Sequence, residues 1–185
     1  MILLILGLAL WVGAHFFKRL APGPRVAMGD KGKGPIALMI LLSVVLMVIG
    51  YRGADWNAVY DPVAGMGHLN NLLMLVSLFL FGAGSAKGVV ASKLRHPMLL
   101  GMLTWAVAHL LVNGDQASVV LFGGLGLWAI AEMALINRAE GPWTAPAPGP
   151  IAKDGKNVVI ALALYAIIAG IHIWLGYNPF LGTYA

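Results

Sequence analysis

An all-α bundle of membrane-spanning helices is the fold class this sequence predicts, on three observations. Of 185 residues, 60% are hydrophobic and only 10% are charged, against about 45–50% and about 25% in ordinary globular chains. The mean hydropathy is +0.86. Apolar runs recur along the whole chain, each broken by a charged or Gly/Pro-rich stretch. A chain so poor in charge cannot cover itself with polar groups in water. The same composition excludes disorder, which needs low hydrophobicity and high net charge. The absence of cysteine excludes disulfides, iron–sulfur clusters, thiolate zinc sites and cysteine nucleophiles.

Six spans are expected within one membrane domain covering 1–185, at 2–20, 36–51, 68–86, 97–112, 117–136 and 157–175. A span needs roughly 20 residues, so the shorter runs draw on neutral flanks. They must be helices, because a lipid-exposed strand leaves backbone groups unpaired. No basic residue precedes the first run, and Lys18 and Arg19 follow it. That order predicts a retained span, since secretory signals carry a positive segment first.

The loops sort by charge. Lys18, Arg19, Arg25, Lys31 and Lys33 lie between the first and second spans. Lys87, Lys93 and Arg95 lie between the third and fourth, and Arg138, Lys153 and Lys156 between the fifth and sixth. Eleven of 12 basic residues therefore share one side, and only Arg52 falls on the other. The positive-inside rule makes that side cytoplasmic and both termini external. The net charge of +5 is explained by this orientation. Membrane lipid is the expected partner, and nucleic acid is not. Asn113-Gly114-Asp115 predicts a tight turn and an antiparallel hairpin of the fourth and fifth spans. The loop 52–67, with Trp56 and Tyr60, is expected along the outer interface. The Pro-rich stretch 141–156 is expected as an extended cytoplasmic linker.

Ionisable residues inside spans are functional candidates. His68 and His96 begin spans at the interfaces, whereas His15, His109 and His172 lie within apolar runs. Glu132 is expected to snorkel to Arg138 or Arg95. A local repeat singles out two histidines. Gly7, Trp11 and His15 recur as Gly101, Trp105 and His109, at intervals of four that put each trio on one helical face. The copies lie three spans apart, consistent with a three-plus-three inverted repeat around a shared site. Glycine allows close approach of a flat macrocycle, tryptophan offers a wall, and imidazole can ligate iron. Zinc would want further ligands, and copper usually adds cysteine. Haem b held by two histidines is the economical cofactor. Arg95, His96 and Pro97 open the fourth span, where a cation beside a helix N-terminus suits an anion: a haem propionate or a lipid headgroup. Helix rise sets His15 and His109 roughly 10 Å apart in depth, and His172 matches His109 better. The repeated face favours His15 with His109 as the iron ligands, with His109 and His172 as the second choice.

The stretch from Arg95 to Asp115 (RHPMLLGMLTWAVAHLLVNGD), followed by Leu121-Phe122-Gly123, strongly resembles the NnrU family. The likeness includes Gly7 to His15 with Ala21-Pro22, and the closing His172-Ile173-Trp174. It implies a multi-pass protein of the bacterial inner membrane linked to nitrite and nitric oxide metabolism, so that the termini placed outside by the charge rule are periplasmic. That family is similar to the plant zeta-carotene isomerase, a haem b enzyme acting on a polyene, whose ligating histidines match His15 and His109. The implied partners are an apolar polyene-like substrate or a denitrification-related membrane protein. The plant motif has cysteine where Ala106 stands, so a thiolate-based ligand change is unavailable here. Arg95, His96, Pro97, Gly101 and Glu132 also resemble isoprenylcysteine-type membrane methyltransferases, which use S-adenosylmethionine. The aromatic segment usual after the acidic residue is missing. A third reading is a non-enzymatic partner supporting assembly or electron supply of denitrification reductases.

A cysteine introduced at Asn113 tests the orientation cleanly, because the chain has none of its own. In vesicles of known sidedness it should react with an impermeant thiol reagent from the periplasmic side. Reaction from the cytoplasmic side alone would contradict the topology.

Overall fold

The computed structural model describes residues 1–183. The first apolar run forms α1 (Ile2–Leu20) and ends at the basic pair Lys18 and Arg19. A short helix follows, α2 (Pro22–Ala27), entered at a proline that needs no amide partner there. Then come α3 (Lys33–Arg52), α4 (Met66–Ala86) and α5 (Pro97–Leu110). The one-turn α6 (Gln116–Ser118) continues through a π-helical turn, Val119–Gly123, into α7 (Gly124–Glu140). The last helix is α8 (Ile151–Trp174).

Among the described residues, five helical runs are long and apolar enough to cross a membrane, among them Gln116–Glu140 taken as one run. The fourth expected span is shorter. Helix α5 has 14 residues, about 21 Å at 1.5 Å per residue. The linker is also shorter than expected. Pro150, in an extended conformation, caps α8, so the helix starts at Ile151 and takes in Lys153, Asp154 and Lys156. Their polarity hid this start from a hydropathy reading. Among the described residues the only strand-like pairing is one bridge, Ala58 with Asp115.

Close helix contact in hydrocarbon relies on small residues and buried hydrogen bonds. Helices α1 and α3 meet through glycines. A Cβ on Gly7 would come within 2.8 Å of Ser43 and Met47 backbone, and one on Gly50 within 2.2 Å of Leu4 N. Helix α4 holds α5 through Ser77, whose hydroxyl donates to Gly101 O at 2.8 Å. It holds α8 through Asn157, whose amide donates to Phe79 O at 2.8 Å while its side chain fills the space over Gly82. Helix α7 packs on both α1 and α5. The core cluster is Leu4, Met47, Ala117, Leu125, Trp128 and Ala129.

Helix ends gather by charge. Arg19 of α1 pairs with Glu140 of α7 at 2.8 Å, and Arg95, just before α5, lies 3.6 Å from the same carboxylate. This basic end is covered by the linker. At the opposite end, loop 53–65 folds over the α5–α6 turn. Val59 and Tyr60 amides donate to Gly114 O, and the Tyr60 hydroxyl donates to Leu110 O and Asn113 O. Burial, reinforced by the Asp115 charge, pushes the Tyr60 hydroxyl above its ordinary pKa and keeps it protonated as a donor.

Gly50→Ala should therefore lower stability by about 1–3 kcal/mol through overpacking against α1. Gly170→Ala, where a Cβ meets nothing within 4 Å, should be neutral or stabilising. Thermal unfolding of both variants in one detergent checks the difference, and equal midpoints would count against this packing.

Candidate functional site: the intramembrane histidines

His15 lies on α1, His109 on α5 and His172 on α8, and all three share one local geometry. Each turns Nδ1 to the carbonyl four residues earlier: Trp11 O at 2.8 Å, Trp105 O at 2.9 Å and Ile168 O at 2.8 Å. A carbonyl only accepts, so Nδ1 carries the proton and donates. In the neutral ring Nε2 then keeps its lone pair, and among the described residues no hydrogen bond engages it. A carbonyl behind Nδ1 orients an imidazole as metal-binding histidines are oriented. The same bond satisfies the ring donor where hydrocarbon cannot.

Their surroundings separate them. The His15 ring lies 4.2 Å from Trp11 and 4.8 Å from Trp128. His109 stacks on Phe122, with centroids 4.5 Å apart and 24° between planes, and Trp105 is 4.8 Å away. Phe122 belongs to the π-helical turn, a feature that often marks functional sites. Phe122 and Trp128 are six residues apart on one continuous run, about 9 Å of rise. His15 is four residues from Arg19 at the basic end, whereas His109 is one residue from the far end of α5. Helices α1 and α5 run in opposite directions, and the two histidines stand at different positions counted from the basic end. His172, near the far end of α8, lies within electrostatic reach of His109.

The repeated glycines also serve differently from expectation. The space over Gly7 is filled by α3. That over Gly101 is filled by α4, where a Cβ would come within 3.1 Å of Ser77 O and Phe81 N. Both are helix-crossing positions and not cradles for a macrocycle. Trp11 and Trp105 do flank their histidines, and both pack on the core cluster. Ala106, at the position of the plant cysteine, is buried and faces Gly126 of α7.

Arg95 and His96 are engaged. Arg95 Nη1 donates to Gly141 O at 2.7 Å, and His96 Nε2 meets Asn137 Oδ1 at 2.8 Å. They tie the start of α5 to the end of α7. Arg95 precedes His109 by 14 residues, roughly 20 Å along α5, too far to hold a propionate of a group on His109. Glu132 does not snorkel to Arg138 or Arg95. Its Oε2 is buried without a hydrogen-bond partner among the described residues. The methyltransferase set of Arg95, His96 and Glu132 therefore shares no common partner. Among the described residues Trp11 Nε1 and Trp128 Nε1, beside His15, are buried without a hydrogen-bond partner. Sequence reasoning missed Phe122 and Trp128. A helical-face argument from one span cannot name the residues that a second span brings to it.

Among the described residues no group of three or more His, Cys, Asp or Glu is arranged for a metal ion. Long apolar helices with histidines lodged in them define a multi-pass helical membrane protein. The family described as NnrU protein matches residues 3–179, and the chain belongs to the NnrU family. Neither the curated proteins nor the solved structures contain a match to it.

A buried carboxylate oxygen without a donor costs about 1–3 kcal/mol or more. Glu132→Leu should accordingly raise the thermal midpoint in detergent by an equivalent amount. A fall would mean that the carboxylate has a partner holding α7 to α1.

Proposed function

We propose that this chain is a haem b-binding protein of the bacterial inner membrane, crossing it six times with both termini periplasmic. Its role is to support nitrite or nitric oxide metabolism. The observation that carries this reading is the geometry of His109. Its Nδ1 is fixed by Trp105 O, one ring face is covered by Phe122, and His172 stands nearby with its own Nδ1 fixed.

The donor set suits haem. Two neutral imidazoles with Nε2 lone pairs available, in apolar surroundings, meet the needs of bis-histidine ligation. His109 and His172 would hold the iron, in place of His15 and His109. When bound, haem b supplies one-electron redox chemistry. The protein's own residues orient and insulate. Trp105 O and Ile168 O fix the ring tautomers, and Trp105 and Phe122 exclude water from the His109 side. Tyr60 and Asn113 close the end of α5 above it, Asn113 Nδ2 donating to His109 O at 2.9 Å. Two protein ligands leave no open position for a substrate. Electron supply to, or assembly of, a membrane reductase is therefore favoured over isomerisation of a polyene.

The test is the absorption spectrum of alanine variants, purified with equal yield. His109→Ala and His172→Ala should each abolish the reduced low-spin signal, and His15→Ala should keep it. Loss in His15→Ala with retention in His172→Ala would return the pairing to His15 and His109. Absence of haem from every preparation, wild type included, would end the reading.

A further inference from the structure

A cavity of about 510 Å³ lies at the basic end, between the close of α4, the 3-10 turn Val90–Ser92, the start of α5 and the linker. Its lining includes Lys87, Arg95, Pro97, Trp143 and Pro146. The walls are held by bonds that do not depend on an occupant. The Gly149 amide donates to Gly88 O, and a Cβ on Gly149 would come within 2.0 Å of Lys87 O. Asp154, buried at 5% exposure, accepts from the Val89 amide at 2.6 Å and the Val90 amide at 3.4 Å. Both bonds use Oδ2; Oδ1 is buried without a hydrogen-bond partner among the described residues and lies over Gly88 of the lining.

Two cationic residues, Lys87 and Arg95, belong to the lining, with the Asp154 carboxylate behind Gly88. Arg95 is steered by the Gly141 carbonyl, and its neighbour Glu140 is shared with Arg19, so one carboxylate stands between two guanidinium groups. The Lys87 ammonium has no ion-pair partner among the described residues. Its backbone is unusual. Lys87 caps α4 in the left-handed region, at φ +54°, the only non-glycine described residue with positive φ. Glycine is the unstrained choice for such a cap. A lysine there keeps a cationic residue in the cavity lining at the expense of backbone strain.

A lysine and an arginine on one rim, with Trp143 and two prolines as an apolar wall, suit a compact polyanion carried on a larger body. We propose that this cavity binds a phosphate ester at the cytoplasmic surface, with Lys87 and Arg95 on its oxygens. The ester comes from a phospholipid headgroup or from a soluble phosphorylated molecule. The site is independent of the haem reading, since Pro97 is 12 residues, roughly 18 Å, from His109.

Lys87→Gly is the discriminating variant. It removes the ammonium and relieves the strained cap, so the fold should be kept or stabilised. Binding is read by thermal shift on delipidated protein. One arm uses glycerol 3-phosphate, and the other phosphatidylglycerol in mixed micelles against an uncharged glycolipid. A charge-assisted contact is worth about tenfold or more in affinity, and Lys87→Gly should lose that factor. Saturation by glycerol 3-phosphate assigns the site to soluble phosphate esters. Saturation by phosphatidylglycerol alone assigns it to lipid. No binding in either arm, equal response to the uncharged lipid, or an unchanged Lys87→Gly variant would overturn the proposal.

Discussion

Hydrocarbon offers no hydrogen-bond partner, and that constraint organises this molecule. Helices answer it for the backbone. Side chains answer it one at a time, and each answer fixes a contact. Asn157 reaches Phe79 O and locks α8 to α4, Ser77 reaches Gly101 O and locks α5 to α4, and Ser43 turns back to Ile40 O. The histidines obey the same requirement by donating Nδ1 to a carbonyl four residues back. What satisfies the ring also prepares its other nitrogen, so a rule of membrane packing yields a ligand geometry.

Where the requirement is not met, chemistry concentrates. Among the described residues, the buried atoms without partners include Trp11 Nε1 and Trp128 Nε1, whose rings lie against His15, and Glu132 Oε2. Elsewhere lies a satisfied chain. The Tyr51 hydroxyl donates to Ser118 Oγ, which donates to Asp115, and the Ser118 amide donates to Asp115 as well. Phe122 touches both Tyr51 and His109, and so joins that chain to the histidine. The His109 surroundings are thus tied into a hydrogen-bonded chain through Phe122 and Tyr51, whereas the atoms beside His15 lack such partners among the described residues.

Much of the architecture was legible in the sequence, because bilayer thickness and basic-residue placement act on composition alone. The edges of Ile2–Leu20 and Met66–Ala86 fall within two residues of the apolar runs. The start of α8 was not legible, since its first turns are polar and a proline cap decides where they begin. The π-helical turn was hidden too, in a Val-Val-Leu-Phe-Gly stretch that reads as ordinary helix. Histidine candidates stood out by residue type, and Trp11 and Trp105 by spacing. Their pairing depends on the order in which helices pack, which no single span encodes. Gly7 and Gly101 carry the same lesson. Small residues four apart from a tryptophan look like room for a ligand, yet here a neighbouring helix takes that room.

The central claim is that a carbonyl-fixed imidazole pair near one end of this bundle holds a haem iron. The most direct measurement is the absorption spectrum of wild-type protein purified in detergent, oxidised and then reduced. The account predicts a low-spin bis-histidine haem b spectrum at one haem per chain, unaffected by carbon monoxide because two histidines of the chain would ligate the iron. A spectrum without haem after expression with ample haem supply would contradict it, as would a high-spin haem that binds carbon monoxide readily.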